Sequence, residues 1–284
     1  MIWRAGLVLV AVSLQAASGP EWEQARKLYQ ATEFDRALKI LHAMSPKDAA
    51  VYGLMGRGHY MLGDYKKATE DLSQACALDP ANAEYALWLG RAYGRRAETS
   101  SPLTAPGNAT KARQWFEKAV ELGPQRVEAL NDLFEYYLQA PGLLGGGFDK
   151  AVGIARRIAA LDPAEGYWAE AKLAEKRKEF PRAEQQLRRA AEAAPHQIGR
   201  LIDLARFLAR HGRFQESDHS FERAASLNPD SPKLLFAQAE TYIKSRRNIA
   251  QARDLLKRYL ASSLTPDDPP RSRAEKLLRQ AEGS

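Results

Sequence analysis

The sequence predicts an all-α fold, a solenoid of about seven similar helical hairpins closed by one further helix. Three observations predict it. A proline recurs at Pro80, Pro124, Pro163, Pro195 and Pro229, at intervals of 44, 39, 32 and 34 residues. Twelve residues before each lies a small side chain: Ala68, Ala112, Ala151, Ala183 and Ser217. Four residues after each of those come Leu72, Phe116, Ala155, Leu187 and Phe221. Small and apolar positions at helical spacing, repeated in register, describe one amphipathic helix written five times. In the most regular units a tight turn, Leu62-Gly-Asp-Tyr65 or His211-Gly-Arg-Phe214, joins that helix to an earlier apolar-periodic stretch. The pair is an αα-hairpin.

In order along the chain, the hairpins begin near residues 18, 49, 83, 127, 164, 198 and 232. The first, around Glu33-Phe-Asp-Arg-Ala37, lacks a proline at the matching distance, and in the last Ala252 comes one place late. End units of a stack deviate because they cap it. The second unit is the most regular. The third and fourth exceed a 34-residue period by ten and five residues, which places insertions near 97–110 and 141–147. Both extend the same turn of adjacent repeats, so they are expected side by side on one edge. Pro and Gly set their backbone shape, while Leu103, Leu143, Leu144 and Phe148 supply apolar content that free linkers lack. Gly56, Gly90, Ala171, Ala205 and Ala239 hold equivalent places on the first helices, where small residues let paired helices approach closely. Each repeated proline stops the helix before it, because its ring clashes with the preceding turn and it has no N–H. Beyond Pro266 and Pro269-Pro270, Ser272 to Ala281 reads as a final helix covering the last repeat with Ala274, Leu277, Leu278 and Ala281.

A 34-residue period carrying Leu-Gly…Tyr, Ala…Phe…Ala and Pro at these spacings resembles the tetratricopeptide repeat (TPR), over about 240 residues. The resemblance implies a right-handed superhelix. It also implies a concave surface, lined by the first helix of each unit, that holds an extended peptide or a partner helix. The residue directly after each small packing residue is expected to face that groove. These are Arg26, Arg57, Arg91, Lys172 and Arg206, with Glu135 and Glu240 as exceptions, so five of seven are basic. Four residues earlier, on the same helical face, stand Trp22, Gly53, Leu87, Asn131, Trp168, Ile202 and Phe236. The candidate peptide-binding set is therefore Arg26, Arg57, Arg91, Lys172, Arg206, Trp22, Leu87, Trp168, Ile202 and Phe236. In one reading they take a peptide's apolar side chains and pair its carboxylates with arginine. In the other they form a solvated charged stripe beside partly packed apolar residues. The Lys/Asn set that clamps a C-terminal carboxylate in some TPR chaperone adaptors is not reproduced, since Glu135 stands in the Asn131 unit.

Composition narrows the function classes. The 284 residues are 45% hydrophobic and 27% charged, with a net charge of +7 that favours acidic partners without implying nucleic acid. Basic pairs such as Arg95-Arg96, Arg188-Arg189 and Arg246-Arg247 fall on helical stretches, without the aromatic interleaving of a strand-binding surface. The single cysteine, Cys76, excludes an intrachain disulfide and a multi-thiolate zinc site. The five histidines form no His-Glu-x-x-His pair, Gly142 to Lys150 lacks the Gly-Lys-Ser/Thr ending of a phosphate loop, and no Gly-x-Ser-x-Gly elbow occurs. No enzyme, metal or cofactor is expected.

At the N-terminus, Met1-Ile-Trp-Arg4, the apolar run Gly6 to Leu14 and Ala16-Ala-Ser18 resemble a secretory signal. The expected organisation is a signal at 1–18, a solenoid at 19–266 and a capping helix at 267–284, in a periplasmic or secreted protein with no membrane span after cleavage. An uncleaved anchor remains the alternative. The expected role is an exported scaffold or adaptor for a protein or peptide partner, acidic or amphipathic. The alternative is a structural component of a cell-envelope complex, contacting its partners through the convex face or the insertion edge.

Overall fold

In the computed structural model, which describes residues 18–283, fifteen α-helices follow one another and no strand occurs among the described residues. They pair as α1 (Pro20–Gln30) with α2 (Phe34–Ala43), α3 (Ala49–Leu62) with α4 (Tyr65–Leu78), and α5 (Ala83–Thr99) with α6 (Ala105–Leu122). Then come α7 (Val127–Gln139) with α8 (Phe148–Leu161), α9 (Pro163–Lys176) with α10 (Phe180–Ala193), and α11 (Ile198–Arg210) with α12 (Phe214–Leu227). The last hairpin is α13 (Pro232–Lys244) with α14 (Ile249–Ala261), and α15 (Arg271–Glu282) covers it. Packing is sequential. Each helix lies on its chain neighbours, and first helices of adjacent hairpins also touch: α1 on α3, α3 on α5, α7 on α9, α11 on α13. This is the helical-hairpin solenoid that the proline period predicts.

The local causes are visible at the helix ends. Asp48 accepts from the Val51 amide at 3.0 Å, and Asp64 accepts from the Lys67 amide at 3.1 Å. Asn82 caps α5 and Asp162 caps α9 in the same way. Each satisfies amides that a helix start leaves unpaired, worth about 1 kcal/mol per cap. Asp162 both ends α8 and caps α9, with Pro163 in the first turn, where its missing N–H costs nothing. The other repeat prolines are followed by a short spacer before the next helix. Its loss after Pro163 shortens the interval to Pro195 to 32 residues. Gly166 makes the resulting close crossing possible, since a β-carbon there would lie 2.5 Å from that of Ala159.

The core is a string of buried clusters running inside the hairpins, from Ala25, Tyr29 and Leu41 at one end to Leu256, Tyr259 and Ala274 at the other. Every register residue of the repeated helix is buried, Ser217 included. The larger of them contribute about 1.5–3 kcal/mol each. At Gly90 a β-carbon would lie 2.6 Å from the Phe116 ring, so the small position admits the large one opposite. Half-buried aromatic rings bind successive clusters together: Tyr60 and Trp168 each pack on two of them.

The two insertions fold differently. Residues 97–110 are not an extended turn. Here α5 and α6 lengthen to 17 and 18 residues, against 10 to 14 for the helices of the other hairpins, leaving only 100–104 between them. Pro106 falls in the first turn of α6, where proline starts a helix rather than breaking one. The second insertion is a turn, with a single 3-10 turn over Gly142–Leu144. The Tyr136 hydroxyl donates to the Leu144 carbonyl and the Gly147 amide to the Tyr137 carbonyl, both at 2.8 Å. A β-carbon at Gly146 would lie 1.9 Å from the Ala140 carbonyl oxygen, so the turn closes only around glycine. Leu103 and Leu143 stand 91% and 87% exposed at the two tips.

Helix α15 buries Ala274 and Ala281 against the last hairpin. No described helix is long and apolar enough to cross a membrane. Residues 1–17 of the segment read as a signal lie outside the described residues.

Candidate interaction surface

The first helices carry the predicted basic residues, but those cations already have partners. Arg57 on α3 donates to Glu84 of α5 at 2.6 Å and to the Tyr29 hydroxyl at 3.3 Å, with its guanidinium over the rings of Tyr29 and Trp88. Arg91 on α5 reaches Asp132 at 2.5 Å and Glu128 at 2.9 Å, both on α7, and its guanidinium also lies over the Trp88 ring, 5.0 Å from the centroid. Arg206 on α11 donates to Glu240 of α13 at 3.1 Å. Lys172 sits 5.7 Å from the Trp168 ring centroid and 3.9 Å from Glu175, while Arg26 pairs with Glu23 of its own helix at 3.2 Å. Arg200 pairs back to Glu165, and Arg210 to Glu175 at 2.6 Å. The wall is therefore a ladder of ion pairs between neighbouring repeats, not a continuous positive band.

Three of the apolar candidates belong to the core instead. Leu87, Ile202 and Phe236 are 0%, 1% and 2% exposed. Four residues make slightly more than one helical turn, so a side chain four places before a groove residue rotates toward its own hairpin partner. Phe236 accordingly stacks on Tyr259 of α14, with centroids 5.3 Å apart. Trp22 and Trp168 stand at the same register, yet both remain half-buried.

Three clefts open along these helices. The first, about 250 Å³, brings Trp22, Arg26 and Arg57 together with Tyr29, Glu84 and Tyr85. The second, about 440 Å³, is bounded by α5, α6, α7 and the 141–147 turn, and includes Tyr60, Arg91, Arg95, Asp132, Glu135, Tyr136 and Leu144. Residues of both insertions line it, Ala97 and Ala109 from one and Pro141 and Leu144 from the other, so the two do lie side by side. The third, about 370 Å³, is lined by Arg206, Arg210, Phe214, Glu240, Thr241 and Lys244.

The electrostatics of the second and third clefts differ. Burial raises the pKa of Glu135, Lys172 draws it back only in part, and Asp132 and Asp203 push it further up. Burial likewise raises Asp132 and Asp203 against the pull of Arg91 in one case and of Arg200, Lys172, Arg206 and Lys233 in the other. Burial acts upward on Glu240 too, but Arg273, Lys244 and Arg206 together outweigh it and hold the carboxyl below its ordinary value. These three cations stand 2.5, 3.2 and 3.1 Å from the carboxylate.

Sequence reasoning missed the acids Glu84, Glu128, Asp132 and Asp203. A signal for two of them was present. Glu84 lies seven residues before Arg91, and Glu128 seven before Glu135, the groove position of the next repeat in each case. Two turns up the neighbouring helix is where Arg57 and Arg91 reach. In the first turns of α5 and α7 these acids read simply as complements to the helix dipole. Cys76 is a packing residue, buried between helices with its thiol pushed up to about 12 by burial. Among the described residues no group of three or more His, Cys, Asp or Glu is placed to hold a metal ion.

A family model described as TPR repeat matches residues 56–96, and one described as tetratricopeptide repeat matches residues 202–269. No curated protein matches the sequence. Among solved structures, the chain is similar to a tetratricopeptide repeat protein from Parabacteroides merdae, at 14% identity and a TM-score of 0.57, covering 92% of this chain and 97% of that one. It is also similar to a thermophilic TPR protein of Thermus thermophilus, at 22% identity and a TM-score of 0.53, covering 66% of this chain and 97% of that one. At such identities the likeness is one of fold.

Proposed function

From the premise that the chain is a TPR-repeat solenoid, a scaffold for protein–protein interaction, we propose that it holds an amphipathic peptide segment of its partner along the first-helix wall. The acidic residues of that segment lie at the C-terminal end, in the cleft between α11 and α13. One observation carries this reading. Around the single carboxylate of Glu240 stand Arg206, Lys244 and Arg273, and Arg210 lines the same cleft. Cations outnumber acids there even with Arg210 paired to Glu175, because three cations share Glu240. The 40% exposed ring of Phe214 lies beside them, so an incoming carboxylate finds donors and an apolar contact together. Elsewhere on the wall the arginines are matched by internal acids, and an acidic peptide would have to displace them.

The test uses fluorescein-labelled amphipathic octapeptides, acidic and charge-reversed, read by fluorescence anisotropy. Arg210 and Lys244 side chains are 52% and 70% exposed, so the Arg210→Glu/Lys244→Glu variant is expected to keep its helix content. Its affinity for the acidic peptide is expected to fall about tenfold, and wild-type binding to weaken with salt. Unchanged affinity in the variant would refute the placement.

Export belongs to the same reading. Sequencing the N-terminus of the mature protein from its own cells is expected to begin near Gly19, and an intact Met1 would oppose it. A second contact surface is favoured by Leu103 and Leu143, which expose apolar side chains at adjacent tips. The Leu103→Ser/Leu143→Ser variant would then lose a partner while keeping octapeptide binding.

A further inference from the structure

The middle cleft poses the opposite chemical demand from the one at α11 and α13. Both of its cations are occupied: Arg91 by Asp132 and Glu128, and Arg95 by Glu98 and the Tyr65 hydroxyl. Its lining holds two cations against three carboxylates, Glu98, Asp132 and Glu135. Glu135 is the one left over. Half-buried on α7, it has no hydrogen bond or ion pair among the described residues. Lys172 of α9, the cation that acts on it most, is turned to Trp168 and Glu175, and the other charges facing it are Asp132 of its own helix and Asp203 of α11. Apart from Gln139, the rest of the cleft is apolar or aromatic: Tyr60, Phe116, Tyr136, Leu144 and several small residues. A volume of about 440 Å³ holds a long side chain. A half-buried carboxylate without a partner at the side of a largely apolar cleft gives up part of its hydration, and an arriving cation can make that loss good.

We propose that this cleft receives a basic side chain, arginine or lysine, from the bound partner, with its charge on the Glu135 carboxylate and its aliphatic stem along Tyr60, Tyr136 and Leu144. Aromatic walls suit such a stem and attract its charged head. The inference deepens the scaffold reading and rests on it. The groove then has a polarity: a basic residue of the partner sits at the middle hairpins and its acidic residues at the C-terminal ones. That fixes the direction in which a segment can lie. The elongated α5 and α6 and the 141–147 turn are the walls of this receptor, which gives the two insertions a purpose the regular repeat does not need.

The probe is N-acetyl-arginine amide, with N-acetyl-citrulline amide as the uncharged isostere, titrated into the full chain and followed by NMR at Tyr60, Tyr136 and Leu144. The arginine amide is expected to give saturable shifts at these residues. Citrulline amide, and arginine amide with Glu135→Gln, are each expected to bind at least about tenfold more weakly. Circular dichroism of the Glu135→Gln variant is expected to match wild type, since the change removes an unpaired charge. Equal shifts from the two amides, shifts that survive Glu135→Gln, or a failure to saturate overturn the proposal. The Arg210→Glu/Lys244→Glu variant is expected to bind arginine amide like wild type. Loss of the acidic-octapeptide effect with an intact arginine response would therefore strike the scaffold placement alone, and the reverse would strike this cleft alone.

Discussion

Glu135 and Glu240 occupy the same place in the fourth and seventh repeats of one pattern, each following a small or packed residue on a first helix, and their environments are opposite. Both are pushed toward protonation by burial. Glu240 is gripped by cations from three directions, its own helix, α11 and α15, and ends up easier to ionise than a free carboxyl. Glu135 faces two further acids and one preoccupied lysine, and ends up harder to ionise. Burial alone therefore does not decide what a charged groove residue is for. A carboxylate held by three internal cations is part of the scaffold, and one left without a partner is available to a guest.

The contrast can be broken or sharpened by four measurements. The largest effect is expected from Phe236→Ala, one turn before Glu240, whose buried ring also lies beneath Arg273 at 5.2 Å. It is expected to cost about 3 kcal/mol in urea unfolding. A loss below about 1 kcal/mol would mean that the C-terminal end is held by charge rather than packing. Glu240→Gln comes next, with an expected loss of about 2 kcal/mol at neutral pH, less than a fully buried triad because the three cations are partly exposed.

For a carboxyl whose folded pKa is depressed, the stabilisation is present above the unfolded value and lost as pH falls through the folded one. The Glu240→Gln and wild-type curves should therefore converge in acid. Glu135→Gln is expected to do the reverse, raising stability by about 1 kcal/mol at pH 7. Its folded pKa is elevated, so the protonated form is the stabilising one, fully present below the unfolded carboxyl value and lost as pH rises through the folded value. The gain from glutamine should vanish in acid. Thermal melts across pH 3–8 check both signs, and two curves of the same sign would dissolve the comparison.

The smallest effect serves as the uncharged control. Ser217 stands where the other repeats have alanine, and its buried hydroxyl lacks a hydrogen-bond partner. Ser217→Ala is expected to stabilise by about 0.5–1 kcal/mol with no dependence on pH.

The sequence by itself determined the architecture: the hairpin starts, the small positions on the first helices, the stops at the repeated prolines and the covering helix all follow from neighbours a few residues apart. Such features are local, and helical periodicity writes them into adjacent positions of the chain. Tertiary structure alone decided which charges are free. Arg91 meets Asp132 41 residues on, Lys172 acts on Glu135 from the next hairpin, and Phe236 turns to Tyr259 rather than to the groove. It likewise decided that 97–110 lengthens two helices while 141–147 folds as a turn. Those outcomes depend on distances between helices of different repeats, and Coulomb attraction and burial act on such distances, not on spacing along the chain.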